Sequence, residues 1–177
     1  MILFFNSLLI IILACVFIGL VLKIYDIIYS NEAPFVSSPS KLYPQIYKLL
    51  EIKPNQTIYD LGCGNGKFLI YCAKHSPKSN FIGIEKGLIP FFISTFNTRR
   101  YANIKIYYRD INKFNIKPNS KIFVYLFPKS VTKLIHRLPK NVSLYSLNFP
   151  AKGLRPNKKV GLINPTSIAK NLYFYKT

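Results

Sequence analysis

Only six of the 177 residues are acidic, so the position of each is informative. Three of them, Asp60, Glu85 and Asp110, stand at or just past the carboxyl ends of short runs that read as buried strands: Thr57–Leu61, Asn80–Glu85 and Ile104–Tyr108. Directly after the first run comes Gly62-Cys63-Gly64-Asn65-Gly66. Glycines in such a turn permit positive φ and let the backbone approach a ligand closely. In a doubly wound sheet this turn lies at the carboxyl edge, where ligands bind. The dinucleotide fingerprint G-x-G-x-x-G would place its third glycine at position 67, which is Lys67. Asp60, just before the turn, would repel a pyrophosphate and attract a ligand amino group. Glu85, 19 residues after Gly66, is placed to accept two hydrogen bonds from a ribose diol. Asp110 is placed to meet an adenine amino group, although an Asp there also suits the N-cap of a turn.

These residues need an alternating framework to bring them to one edge, and the sequence supplies it. Helices are expected over 37–50, 67–75, 88–101 and 130–138. Further strands are expected over 121–126, 142–147, 160–163 and 172–175. No helix is expected between the last three strands. Strands alternating with helices imply a mostly parallel sheet with right-handed crossovers. The fold class is therefore α/β, a Rossmann-like sheet of seven strands over residues 37–177.

Residues 2–22 contain no charge, and only Asn6 and Ser7 are clearly polar. As a helix they span ~32 Å, about one hydrocarbon core. A soluble core helix would carry a polar stripe. A cleaved signal peptide would need a basic start and a small-x-small cleavage site, and neither is present. The expectation is an uncleaved single-pass anchor in the lipid bilayer, a juxtamembrane linker over 23–36 and then the domain. Lys23, Lys41 and Lys48 on the far side of the anchor place the domain in the cytoplasm.

The chain carries 25 Lys+Arg, a formal net charge of +19, with 50% hydrophobic residues. That hydrophobic content excludes a disordered tail. Ile, Lys and Asn together fill a third of the chain, as A/T-rich coding also would produce. The charge therefore fits a solvated basic face, a nucleic-acid partner or an anionic membrane surface alike. Cys15, Cys63 and Cys72 have no paired spacing and no nearby His, which argues against disulfide partners and against a metal site.

On these residues the chain resembles the class I S-adenosylmethionine-dependent methyltransferases. Asp60 to Gly66 matches their first motif, Glu85 their ribose-binding acid and Asp110 their adenine-side acid. The resemblance covers roughly residues 37–148. It implies S-adenosyl-L-methionine as cofactor, held by Asp60, Gly62, Cys63, Gly64, Gly66, Glu85, Asp110 and Ile111. A narrower resemblance rests on the apolar helix followed by Ala33-Pro34-Phe35-Val36-Ser37-Ser38-Pro39, and on Tyr125-Leu126-Phe127-Pro128 and Asn148-Phe149-Pro150. In these segments the chain is similar to the small membrane-anchored protein-lysine methyltransferases. That similarity implies a membrane-protein substrate, with Pro34, Phe35, Tyr125, Phe127 and Pro128 lining its path.

Methyl transfer from a sulfonium is an in-line displacement that needs alignment and exclusion of water; proximity supplies ~7–11 kcal/mol. No dedicated base is expected, since His75 and His136 read as helix-surface residues. Three rival functions stay open: methylation of RNA, methylation of a small molecule or lipid, and a catalytically silent membrane-tethered scaffold. The Asp/Asn-Pro-Pro-aromatic motif of enzymes that methylate the adenine amino group is absent, because the chain reads Leu126-Phe127-Pro128-Lys129 there.

Overall fold

The computed structural model describes residues 2–29 and 37–177. The chain divides into two units, 1–35 and 36–177.

In the first unit, α1 runs Ile2–Tyr29. Its stretch Ser7–Ile24 is long and apolar enough to cross a membrane, and its side chains are exposed all round. A signal sequence near an N-terminus meets the same criteria. The helix does not stop at residue 22, so the first seven residues of the expected linker are helical. The physical reason is that Lys23 and Asp26 mark a change of polarity and do not break a helix. No Gly or Pro occurs between Leu20 and Ala33.

The second unit opens with a 3-10 turn, Ser40–Leu42, leading into α2, Tyr43–Leu50. Pro44 occupies the first turn of α2, where its missing N–H costs nothing. Then follow β1 (Thr57–Leu61), α3 (Lys67–His75), β2 (Asn80–Glu85), α4 (Leu88–Thr98) and β3 (Ile104–Tyr108). The rest is β4 (Lys121–Val124), α5 (Pro128–Ile135), β5 (Ser143–Leu147), β6 (Lys158–Thr166) and β7 (Ala169–Lys176). The sheet order is β3-β2-β1-β4-β5-β7-β6. The first five strands pair in parallel, and β7 pairs antiparallel with both β5 and β6. This is the expected mostly parallel seven-stranded sheet, and residues 148–157 contain no helix. The two closing strands are longer than their apolar cores suggest, because each pairs along a hairpin.

Alternation along β1 divides the core. Ile58 packs with Phe68, Leu69 and Cys72 of α3, while Tyr59 and Leu61 face Val131 and Leu134 of α5. Strand order reverses between β2-β1 and β4, which sets the switch point at the carboxyl end of β1. Gly83 of β2 stands beside Asp60 in register. A Cβ there would lie 2.7 Å from Cys63 Sγ, 2.7 Å from Ile106 Cδ1 and 2.8 Å from Leu69 Cδ1. Gly83→Ala should therefore overpack the contact between the glycine turn and the sheet. The expected loss is ~1–3 kcal/mol, seen as a lower urea midpoint at unchanged slope.

Candidate functional site

The turn after β1 is built by positive φ. Gly62 has φ +81°, Gly64 +55° and Gly66 +75°. The Gly62 and Cys63 amides both donate to the Ile84 carbonyl oxygen, at 2.8 and 3.1 Å. Gly66 N donates to the Cys63 carbonyl (2.9 Å) and Lys67 N to Asn65 Oδ1 (3.3 Å). Gly64 N donates to Glu85 Oε2 at 2.9 Å. The named amides are thus used inside the protein. A phosphate cradle needs such amides free to point at an anion, so this turn does not suit a pyrophosphate.

Glu85 ends β2 and is buried. Besides Gly64 N, its Oε1 accepts from the amides of Lys86 (2.9 Å) and Gly87 (2.8 Å). The carboxylate therefore ties the glycine turn to the start of α4. A carboxylate can accept about four hydrogen bonds, so the three already made leave room for one ribose hydroxyl and not for the two expected from a diol.

Asp60 is only 4% exposed. Among the described residues, none donates a hydrogen bond to its carboxyl. Burial, reinforced by the Glu85 carboxylate, pushes its pKa up to about 8. A cation brought beside such a carboxyl favours its ionised form.

Asp110 takes the cap role. Its Oδ1 accepts from Asn112 N (2.8 Å) and Asn112 Nδ2 (3.0 Å), opening the short turn Ile111–Lys113. Burial works to raise its pKa, but the Asn112 hydrogen bonds and the charges of Lys86 and Lys113 outweigh it and hold the carboxyl below the ordinary value. Asp110 is thus an anion beside the site edge.

Two of the expected cofactor residues contribute through the core. The Cys63 side chain is buried against the Gly83 side of the sheet, and burial raises its thiol pKa. Ile111 is buried beside Leu61 and Ile84. Pro34 and Phe35 lie outside the described residues. Tyr125, Phe127 and Phe149 cluster past the carboxyl ends of β4 and β5. The Tyr125 and Phe149 rings stack at 5.8 Å and those of Phe127 and Phe149 lie 5.0 Å apart. The Tyr125 hydroxyl donates to the Ile168 carbonyl in the β6–β7 turn (2.5 Å). Pro128 is the first residue of α5 and serves its start. His75 and His136 are exposed, with His75 stacked on Tyr71 at 4.3 Å.

Sequence reasoning missed several supports. Asn97 of α4 donates to the Asn65 carbonyl at 3.0 Å. A Cβ at Gly66 would meet Thr98 at 3.1 Å and Ser94 at 3.3 Å, so α4 presses on the turn. Arg137 donates from Nη1 to the Asn112 carbonyl and from Nη2 to that of Phe114, bracing the segment that carries Asp110. Tyr43 of α2 meets Phe68 edge-on at 5.3 Å; burial raises its pKa, and the Asp60 charge adds to that. Only Phe149 had a sequence signal, its Asn148-Phe149-Pro150 context.

Known proteins share the sequence pattern and the fold. Residues 54–143 match the family model Methyltransf_4, described as "Putative methyltransferase". A protein-lysine N-methyltransferase of Saccharolobus islandicus is 30% identical over 57 residues, 32% of this chain and 35% of that protein. The match thus spans about a third of that relative's length. Among solved structures, an RNA methyltransferase from Salinibacter ruber in complex with S-adenosyl-L-homocysteine superposes with a TM-score of 0.69 at 20% identity, covering 79% of this chain and 92% of that one. A SAM-dependent methyltransferase from Aquifex aeolicus gives 0.58 at 17% identity, covering 77% and 92%. These two likenesses concern the fold. The family match takes in half of the chain, from the approach to β1 as far as the start of β5, and on that ground the chain belongs to this methyltransferase family.

Proposed function

We propose that the chain is an S-adenosyl-L-methionine-dependent methyltransferase, anchored in a membrane by α1, that methylates a lysine of a membrane protein near the cytoplasmic face. The observation that carries the cofactor reading is the pair Asp60 and Glu85. One is a buried carboxyl suited to a ligand cation, and the other is a carboxylate at the ribose position already organised by three amides. The spent amides of the glycine turn support a cofactor without phosphate.

When bound, the cofactor supplies an electrophilic methyl group. The chain's own part is binding and alignment. Asp60 takes up the amino end, Glu85 a ribose hydroxyl, and Asp110 with Ile111 borders the base. Tyr125, Phe127 and Phe149 offer ring faces to a cationic side chain entering past β4 and β5. No side chain there is assigned as base, and the acceptor's proton leaves to water. A positive surroundings favours that loss by lowering an amine's pKa.

The test is to supply the full chain with radiolabelled S-adenosylmethionine in a membrane fraction and identify what is labelled. Label on lysine of a membrane protein is expected. Deleting residues 2–29 should cut that labelling sharply while leaving cofactor affinity unchanged, because the tether concentrates enzyme and substrate in one layer. Label on RNA, lipid or a small molecule would replace the lysine reading. Cofactor binding without any label would favour the scaffold reading.

A further inference from the structure

Helix α4 is built inside out. The other helices of the domain bury apolar side chains: Tyr43, Ile46 and Leu50 from α2, Phe68, Leu69, Cys72 and Ala73 from α3, Val131 and Leu134 from α5. The buried residues of α4 are Ser94 and Thr98. Their hydroxyls are satisfied within the helix, Ser94 Oγ donating to the Phe91 carbonyl and Thr98 Oγ1 to the Ser94 carbonyl, both at 2.8 Å. The inward polarity has a local reason, since only small side chains fit against Gly66. The outward face has no such reason. Leu88, Ile89, Phe92, Ile93 and Phe96 are all exposed, Phe92 by 60% and Phe96 by 63%. Spacings of three and four residues put them on one continuous stripe.

We propose that this stripe is a lipid-docking surface, seated in the interface of an anionic bilayer. Charge selects that occupant. Arg99 and Arg100 close the stripe at its C-terminal end, both exposed, with the Arg99 guanidinium 3.6 Å over the Phe96 ring. Every Lys and Arg except Lys23 lies beyond residue 36, against four acids there, of which Asp60 and Glu85 are buried. A second copy of this chain would bring like charge against like charge. An anionic headgroup layer neutralises the arginines while the apolar side chains enter the acyl boundary, the arrangement of an interfacial amphipathic helix. The same chain also carries a helix long and apolar enough to cross a membrane, and the docking rests on the anchoring proposed above for its bilayer. The docking does not depend on methyl transfer, and its test reads lipid contact alone.

The chain contains no tryptophan, so one introduced residue reports by itself. Phe96→Trp is made in the full chain, reconstituted into phosphatidylcholine vesicles with and without phosphatidylserine. Phe92→Trp serves as a second reporter. Ile163→Trp, on β6 at the opposite edge of the sheet and 74% exposed in the parent chain, is the reference. With phosphatidylserine present, Trp emission at 96 and 92 should shift to the blue, and brominated acyl chains should quench it several-fold more than at 163. Omitting phosphatidylserine, or adding Arg99→Glu with Arg100→Glu, should reduce that quenching. Emission at 96 as red and as unquenched as at 163 would overturn the proposal, and so would equal quenching at both. A blue shift without bromine quenching would mean that protein covers the stripe: a second copy if it grows with protein density, the chain's own segment if it does not. Either result also overturns it.

Discussion

Asp60→Asn should stabilise the ligand-free protein at pH 8 by an amount on the order of a few kcal/mol, while leaving its stability near pH 4 almost unchanged. The Asp60 carboxyl titrates at about 8 in the folded chain, against 3.8 as the ordinary value. Between those pH values the folded state holds a proton that the unfolded state has released. Unfolding free energy therefore falls as pH rises through that window. Asn stays neutral throughout, so its curve should lack this slope. Urea melts of both proteins from pH 4 to 9 measure the gap. Parallel curves would show that Asp60 is ionised without penalty in the free protein.

The same carboxyl predicts a proton on the binding side. An ammonium group of S-adenosylmethionine beside Asp60 favours the carboxylate. Binding near pH 7 should therefore release protons, and affinity should rise with pH until about 8. Calorimetry in buffers of different ionisation enthalpy reads the released protons directly. Asp60→Asn should bind weakly at every pH and release none from this site.

Glu85→Ala should lose both fold and ligand. Its three amide partners, on Gly64, Lys86 and Gly87, are left without their acceptor. A stranded buried donor costs ~1–3 kcal/mol. The expected loss of stability is about 3 kcal/mol, and S-adenosylmethionine binding should fall below detection. Glu85→Gln separates the two roles, because it keeps one acceptor oxygen and turns the other into a donor. It should still fold, with a weakened turn, and bind the cofactor poorly. Denaturation and calorimetry on both variants check this. A normal melt for Glu85→Ala with weak binding would mean that the carboxylate serves the ligand alone.

The α/β order, the parallel sheet and the edge that gathers Asp60, Glu85 and Asp110 were legible because each depends on a local pattern. Strands are short runs of apolar and aromatic residues, and the turn announces itself by three glycines within five residues. The membrane-length helix was legible for the same reason, though its end was not, since polarity changes seven residues before the helix stops. What the sequence could not display is which bonds these acids make inside the fold. Asp110 reads first as a ligand acid, with a cap as the rival, and only the bonds from Asn112 show the cap in place. Glu85 reads as a ribose acid, and only its bonds from Gly64, Lys86 and Gly87 show that it clamps the turn.

Long-range contacts account for the rest. Asn97, Arg137 and Tyr43 lie far from the glycine turn or from Asp110 in sequence, and their types carry no motif. They become part of the site only when α4, the turn after α5 and α2 pack beside it. Gly83 looks like an ordinary strand residue until the register puts Cys63, Leu69 and Ile106 against its missing Cβ. The pattern of α4 misleads in the opposite sense, because an apolar run predicts burial. The sequence by itself determined the elements, their order and the acids at one edge, which follow from periodicity and turn chemistry. The tertiary structure decided which face of α4 turns outward and which carboxyl loses its water, because both depend on neighbours brought in by folding.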